Sequence, residues 1–431
     1  MADIDQLTRD FSHDPVPDEH AVSGFRVAMV IIGFTITLPI FIAGSQIGLA
    51  LGLQASVSAF LLGGAILAIV GGITSYIGST TRLSTYMIIQ FSFGRLGGRA
   101  VNAIIAVTLF GWYGVTAYLF GTASANAIVE LYGAHPGVTS FIILGGVLMV
   151  LTTIWGFKAL DKLSVFAVPL MMALLGSAVV FALRKVSWEG ILAVPGTGMS
   201  SGKSVSLVVG SFIVGATILP DLCRYARRTW EGVAAAAVSL GLVFPAVFFS
   251  AMIPSLATGQ KDLILIMMGL GMGLPALVLI IFATWSTNSH NLYATSLTLS
   301  SIFPRYPKWK ITIAAGIIGT ILAALGIMDY FIDFLLFLGI TIPPIAGIYV
   351  ADFFCVRGRK YDVADLKTRP DWNWVAFAAW SVATLIGIVT VQGYFTLTSI
   401  PACDSILAAF GLYLVGVRFT RRSPVIQPAA K

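Results

Sequence analysis

The chain has 431 residues, 57% of them hydrophobic and only 10% charged, with a net charge of +7. That balance excludes a water-soluble fold, because one core of this size could not hide so much apolar surface. The positive charge does not point to nucleic acid, since the basic residues fall in short loops on one face of the predicted topology.

The first twenty residues carry Asp3, Asp5, Asp10, Asp14, Asp18 and Glu19. They lack the short apolar core and small-residue cleavage site of a signal peptide, so residues 1–23 read as a soluble tail. Apolar segments then recur at 24–51, 55–77, 100–123, 138–157, 160–184, 205–223, 232–256, 274–299, 310–327, 330–353, 373–393 and 399–417. Each is near the roughly 20 residues that a helix needs to cross a hydrocarbon layer. A membrane β-barrel would instead show alternating segments of about 10 residues. The predicted fold class is an all-α membrane protein of twelve transmembrane helices, with the lipid bilayer as its solvent.

Cationic loops resist translocation, so Lys and Arg mark the inner side. They occupy the even-numbered connections: Arg82, Arg95 and Arg99; Lys158 and Lys162; Arg224, Arg227 and Arg228; Arg305, Lys308 and Lys310; and Arg357 through Arg369. Only Arg184, Lys185, Lys203 and Lys261 fall on the other side. Both termini are therefore expected in the cytoplasm, and a bacterial inner membrane is the expected location. Cys223 and Cys355 lie near the cytoplasm and Cys403 near the exterior, which suggests no disulfide or metal framework. The longest hydrophilic connection precedes the last two spans. The expected organisation is a ten-helix core over 24–353, a cytoplasmic loop over 354–372, two added helices over 373–417 and a cytoplasmic tail over 418–431.

The first and sixth spans stand apart. The first reads GFTITLPIFIAGSQIG from Gly33, with Pro39 and Gly44 interrupting it, and the sixth reads GSFIVGATILPDLCRY from Gly210, ending towards Pro220. Proline removes a backbone donor and glycine tolerates unusual dihedrals, so both helices are candidates to unwind partway across. Unwound backbone at that depth must line a cavity or be buried in protein. Two interrupted segments five spans apart match a five-plus-five inverted repeat, in which broken helices frame the transported solute and free carbonyls bind a coupling cation. Ordinary helix packing is the plainer use of such glycines and prolines.

The eighth span holds the densest polar cluster, Trp285 to Asn291. Ala283, Ser286, Thr287 and His290 share one helix side. Hydroxyls of Ser286 and Thr287 are hard donors suited to Na⁺, although Ser and Thr in helices also bond the carbonyl one turn back. His290 is ionisable at membrane depth, which makes it a functional candidate and admits proton coupling. Trp112 lies centrally in the third span within LFGWYG. With Phe212 of the sixth span it could hold a flat ring between aromatic faces; core packing is the alternative.

Taken in order, QFSFG at Gln90–Gly94, VVGSFI at Val208–Ile213, the Asp221 and Arg224 pair, WSTN and NLYA at Trp285–Asn288 and Asn291–Ala294, and IPPIAG followed by AD at Ile342–Gly347 and Ala351–Asp352 resemble the cytosine permease branch of the nucleobase cation symporter family. The resemblance implies a five-plus-five fold with two extra helices and a pyrimidine-like ring held between Trp112 and Phe212. It also implies that Ser211, Asn288 and the next residue, Ser289, bond the ring edge. For sodium it implies backbone carbonyls near Gly33 and Thr37, the carbonyl of Ala283, and the hydroxyls of Ser286 and Thr287. The chain departs from the family's pattern at Leu109, Val214, Ser289 and His290, so several groups lining the site differ from those of a cytosine permease. A site lacking a hydrogen-bond partner can lose orders of magnitude in discrimination.

These observations imply a cation-coupled importer of a planar nucleobase or related heterocycle, working by alternating access with Na⁺, or alternatively H⁺, as coupling ion. No obligate protein partner is evident. A carrier of amino acids or vitamin precursors on the same fold is the alternative, since fold does not determine substrate. A membrane enzyme lacks a second nucleophile or metal ligand near His290, and a channel would show rings of like charge.

Overall fold

The computed structural model describes residues 11, 13–326, 338 and 340–422. Long apolar runs satisfy their own backbone groups as helices, the arrangement a segment in lipid requires. The regular elements among the described residues are accordingly helices, apart from one isolated parallel bridge between Val22 and Ala226.

In chain order the helices are α1 Gly24–Thr35, α2 Leu38–Leu51, α3 Leu53–Thr81, α4 Thr85–Phe93, α5 Arg95–Tyr132, α6 Val138–Ile154, α7 Phe157–Lys185 and α8 Trp188–Leu192. There follow α9 Ser201–Thr217, α10 Pro220–Cys223, α11 Thr229–Thr258, α12 Leu263–Gly269, α13 Gly273–Ile302 and α14 Lys308–Ala324. The last three are α15 Pro343–Val356, α16 Trp374–Val391 and α17 Pro401–Arg422. The expected spans have their helices within a few residues, except that the third, expected at 100–123, runs on to Tyr132, and that part of the tenth, expected at 330–353, lies outside the described residues. The short α4, α8 and α12 between spans are additions that the apolar pattern does not announce.

The first span is broken as expected. α1 and α2 meet at an angle of 66°, with Ile36 and Thr37 in extended conformations between them. The sixth span is interrupted later than its glycines suggest. Its helix ends at Thr217, and the chain resumes as the single turn α10 beginning at Pro220. Proline cannot supply the next helical donor, so the break follows Pro220 rather than Gly210.

Side chains sort by face. Leu61, Leu62 and Ile69 on α3, Ile143, Leu144 and Val147 on α6, and Ile317, Ile318 and Ile321 on α14 are exposed, forming an apolar exterior suited to lipid. Small residues line the contacts between helices, where van der Waals packing takes the place of a hydrophobic driving force. At α2 against α11, a Cβ on Gly44 would lie 2.8 Å from the carbonyl oxygen of Phe248, and the Ser45 hydroxyl donates to the Ala251 carbonyl at 3.3 Å. Gly94 joins α4 to α5 at φ +90°, packed on the backbone of Pro370 and Asp371. The amide N–H groups of Arg95, Leu96 and Gly97 donate to those two carbonyls. The hydrophilic connection before α16 thereby caps the start of the third span.

The face bearing the basic loops is tied shut. The Arg26 guanidinium pairs with the Asp161 carboxylate at 2.5 Å, and the Gly24 amide donates to Glu231 Oε2 at 2.7 Å. Arg224, fully buried, donates to the Phe11 carbonyl at 2.8 Å and to the Tyr293 hydroxyl at 3.2 Å. These bonds join the ends of the first, fifth, sixth, seventh and eighth spans.

Gly44→Ala should destabilise the protein by about 1–3 kcal/mol, because the new methyl meets backbone that cannot rotate away. Gly411→Ala on α17, where a Cβ would meet nothing within 4 Å, should leave the melting temperature unchanged or raised. Thermal unfolding of the two purified variants in detergent reads both.

Candidate functional site

The break in the first span leaves peptide oxygens without helical partners, and α13 supplies the groups that meet them. The Ser286 hydroxyl donates to the Gly33 carbonyl at 3.0 Å, and the Thr287 hydroxyl donates to the Ile36 carbonyl at 3.3 Å. Ala283, one turn earlier on the same side of α13, is fully buried. Gly33 is there because nothing larger fits: its Cβ would lie 2.7 Å from Ser286 Oγ and 2.9 Å from Ser164 Oγ. Ser164 of α7 brings a third helix to the place, and its own hydroxyl has no hydrogen-bond partner.

Two features here add detail to the residues expected from sequence. The second carbonyl is that of Ile36, one residue before Thr37. The Thr37 carbonyl is taken by the Ile40 and Phe41 amides at the start of α2, while its buried side-chain oxygen is unpartnered. Ser164 was not singled out at all, because a serine in an apolar span carries no signal until the neighbouring helix is placed against it. The resulting group consists of hard oxygens, carbonyl and hydroxyl, in a site buried by α1, α7 and α13. That donor chemistry fits Na⁺.

Of the two aromatic residues, Phe212 lies against the end of α1. Phe212 is buried, with its ring edge-on to Phe34 at 5.1 Å and tilted against Phe244 at 5.3 Å. Trp112 is half-buried against the same core. Its neighbour Tyr113 presents a carbonyl to Asn288 Nδ2 at 3.0 Å, which locks the third span to the eighth at the level of Trp112. Asn288 Oδ1 in turn accepts from Asn291 Nδ2 at 3.1 Å, so each end of the amide already has one protein partner. The Ser211 hydroxyl donates to the Val208 carbonyl at 2.7 Å and keeps its lone pairs. Ser289 is fully buried with an unpartnered hydroxyl. Leu109 and Val214 are buried apolar residues.

His290 lies one turn beyond Ser286. Its Nδ1 is 2.8 Å from the Ser286 carbonyl, its ring stacks on Phe34 at 5.4 Å with 14° between planes, and its Nε2 has no partner. Phe34 therefore touches both Phe212 and His290, a role that its place at the end of α1 does not reveal in sequence.

Comparison with known proteins agrees with this architecture. A family model described as permease for cytosine/purines, uracil, thiamine, allantoin matches residues 15–416. A cytosine permease of Escherichia coli K12 is 30% identical over 379 residues, 88% of each chain. A hydantoin permease of Microbacterium maritypicum is 24% identical over 444 residues, covering 94% of this chain and 88% of that one. Among solved structures, the nucleobase-cation-symport-1 family transporter Mhp1, closed with bromovinylhydantoin bound, superposes with a TM-score of 0.84 at 22% identity over 98% of both chains. A Na⁺-coupled sialic acid symporter superposes at 0.70 with 14% identity, covering 97% of this chain and 95% of that one. The fold is thus the all-α membrane architecture with a broken first helix and additional C-terminal helices, and the protein is a transporter rather than an enzyme. With the match running from residue 15 to residue 416, the chain belongs to the family of permeases for cytosine/purines, uracil, thiamine and allantoin.

Proposed function

We propose that the protein is a Na⁺-coupled symporter that imports a planar nucleobase or related heterocycle by alternating access. The observation that carries this reading is the meeting of the Gly33 and Ile36 carbonyls with the Ser286 and Thr287 hydroxyls across the break in the first span. Na⁺ bound there would take lone pairs from these oxygens and from the Ala283 and Thr37 region. Its presence would hold α1 against α13, the two helices beside the ring site. The coupling then needs no direct contact between ion and solute: ordering one helix junction prepares the other site.

In this reading Trp112 and Phe212 stack on the two faces of the ring. Ser211, Asn288, Ser289 and His290 read its edge, while Leu109 and Val214 close the pocket with apolar surface. The unused lone pairs of Ser211 and the unpartnered hydroxyl of Ser289 support such a role. The family's described range and the cytosine and hydantoin permeases among the relatives favour a small nitrogen heterocycle with ring N–H or amino donors. The ten-helix core of residues 24–353 would rock about this site, with 1–23 and 418–431 as cytoplasmic tails, 354–372 as a cytoplasmic loop and 373–417 as appended helices. The distribution of Lys and Arg supports cytoplasmic termini in a bacterial inner membrane.

Reconstituted into liposomes, the protein should concentrate a labelled base from a panel of cytosine, adenine, uracil and hydantoin only when an inward Na⁺ gradient is imposed. Equal uptake in K⁺ would refute sodium coupling, and the same assay with an imposed pH gradient distinguishes H⁺.

Ser286→Ala and Thr287→Ala should each raise the Na⁺ concentration for half-maximal uptake by roughly 10- to 100-fold, at least the loss seen when a supporting partner of a metal ligand is removed. Titrating Na⁺ at saturating base measures this.

Phe212→Ala should weaken base binding by about 3- to 10-fold, in line with a lost aromatic pair, without shifting the Na⁺ dependence measured at saturating base.

A further inference from the structure

α7 brings one polar side chain to the junction of α1 and α13, that of Ser164. Its hydroxyl is fully buried and has no hydrogen-bond partner. The hydroxyls that α13 contributes are both engaged, Ser286 with the Gly33 carbonyl and Thr287 with the Ile36 carbonyl. A Cβ added to Gly33 would lie 2.7 Å from Ser286 Oγ and 2.9 Å from Ser164 Oγ. The two hydroxyls therefore approach Gly33 together, one from α13 and one from α7, across the space that a side chain would fill.

α7 is fastened to α1 at a second level. Asp161, one turn before Ser164, binds Arg26, two turns before Gly33. Ser164 thus stands where α7 is held close against α1, and its free hydroxyl does not come from a loose contact. The ordinary use of a serine in a helix is a bond to the carbonyl one turn back, and Ser164 makes none. A buried hydroxyl without a partner is unfavourable. Beside an oxygen set of carbonyls and hydroxyls suited to a hard cation, a bound ion would supply the missing interaction.

We infer that Ser164 is a further Na⁺ ligand, which extends the ion site from α1 and α13 to a third helix. The inference rests on the reading of that junction as the sodium site and adds a residue of α7 to it. Through this oxygen the ion would tie α7 to both neighbours at the depth of Gly33, as the Arg26 and Asp161 pair ties α7 to α1 one turn away. Na⁺ affinity would then depend on the packing of α7 as well as on the break in the first span.

The test uses purified full-length protein. Ser164→Ala removes the oxygen, and Ser164→Thr keeps a hydroxyl. Thermal unfolding is followed while NaCl replaces KCl at constant ionic strength, and Na⁺ should raise the wild-type melting temperature saturably. Ser164→Ala should raise the Na⁺ concentration for half of that shift about 10-fold, the size of loss typical when a metal site is deprived of a supporting residue. Ser164→Thr should lie between the two. In KCl alone Ser164→Ala should melt at or above the wild-type temperature, because an unsatisfied buried group has been removed. A serine that served packing alone would instead lose stability equally in both salts, and that result overturns the proposal. Hydrogen exchange gives an independent measurement. Saturating Na⁺ should slow exchange over residues 24–35 and 157–168 of the wild type, and in Ser164→Ala only over 24–35. Half-saturation of Ser164→Ala within about 2-fold of the wild type, or undiminished protection of 157–168, overturns the role of Ser164 and leaves the sodium site on α1 and α13 standing. A wild type that Na⁺ and K⁺ stabilise equally removes the sodium reading itself, and this ligand with it.

Discussion

A helix that stops inside a membrane must find partners for its last carbonyls, because the surrounding hydrocarbon offers none. The first span stops at Thr35, and the hydroxyls of Ser286 and Thr287 supply part of the answer. Much of the architecture serves that encounter. Gly33 is small so that α13 and α7 can approach. α13 is rich in hydroxyls and amides and is buried along most of its length, since groups of that kind can be placed only where other helices cover them. It is held against α5 by Asn288 on the Tyr113 carbonyl and by Asn102 on Ser301.

The same constraint links ion and solute. Phe34 precedes the break by two residues and stacks on His290, which follows Ser286 by one turn. A change in how α1 meets α13 therefore reaches the Phe34 ring and its contacts with Phe212 and His290 directly. At the other end of α1, Arg26 is bound to Asp161 and Gly24 to Glu231, while Arg224 gathers the Phe11 carbonyl and the Tyr293 hydroxyl. These contacts tie the ends of several spans together on one face, so in the proposed cycle release towards that face would part them, as in a two-state element.

Much of this was legible in one dimension. Long apolar runs interrupted by basic loops give spans and their number, because the thickness of the bilayer and the cost of a bare peptide group leave few alternatives. Pro39 in the first span and Pro220 in the sixth announced the interruptions, and the density of hydroxyls and amides from Trp285 to Asn291 singled out the eighth span. Resemblance to a permease family, read from short strings such as QFSFG and WSTN, added the nature of the solute. Of the two signals in the sixth span, the break lies next to Pro220 and not at Gly210, since glycine permits an irregular backbone without requiring it, whereas proline forbids the next helical bond. The helix α4 also escaped, because nine residues between two spans carry no periodic signature of their own.

The sequence by itself determined that the chain lives in lipid as a series of helical spans, which spans are interrupted and which one carries polar groups, since each follows from local composition and the covalent limits of proline. Only the tertiary structure decided which oxygens face one another. That the Ile36 carbonyl faces Thr287 depends on the dihedrals at the break. The arrival of Ser164 beside Gly33, and of Phe34 between Phe212 and His290, depends on how far helices remote in sequence are rotated about their axes. No local pattern encodes that rotation, because it is set jointly by every small residue at which two helices touch.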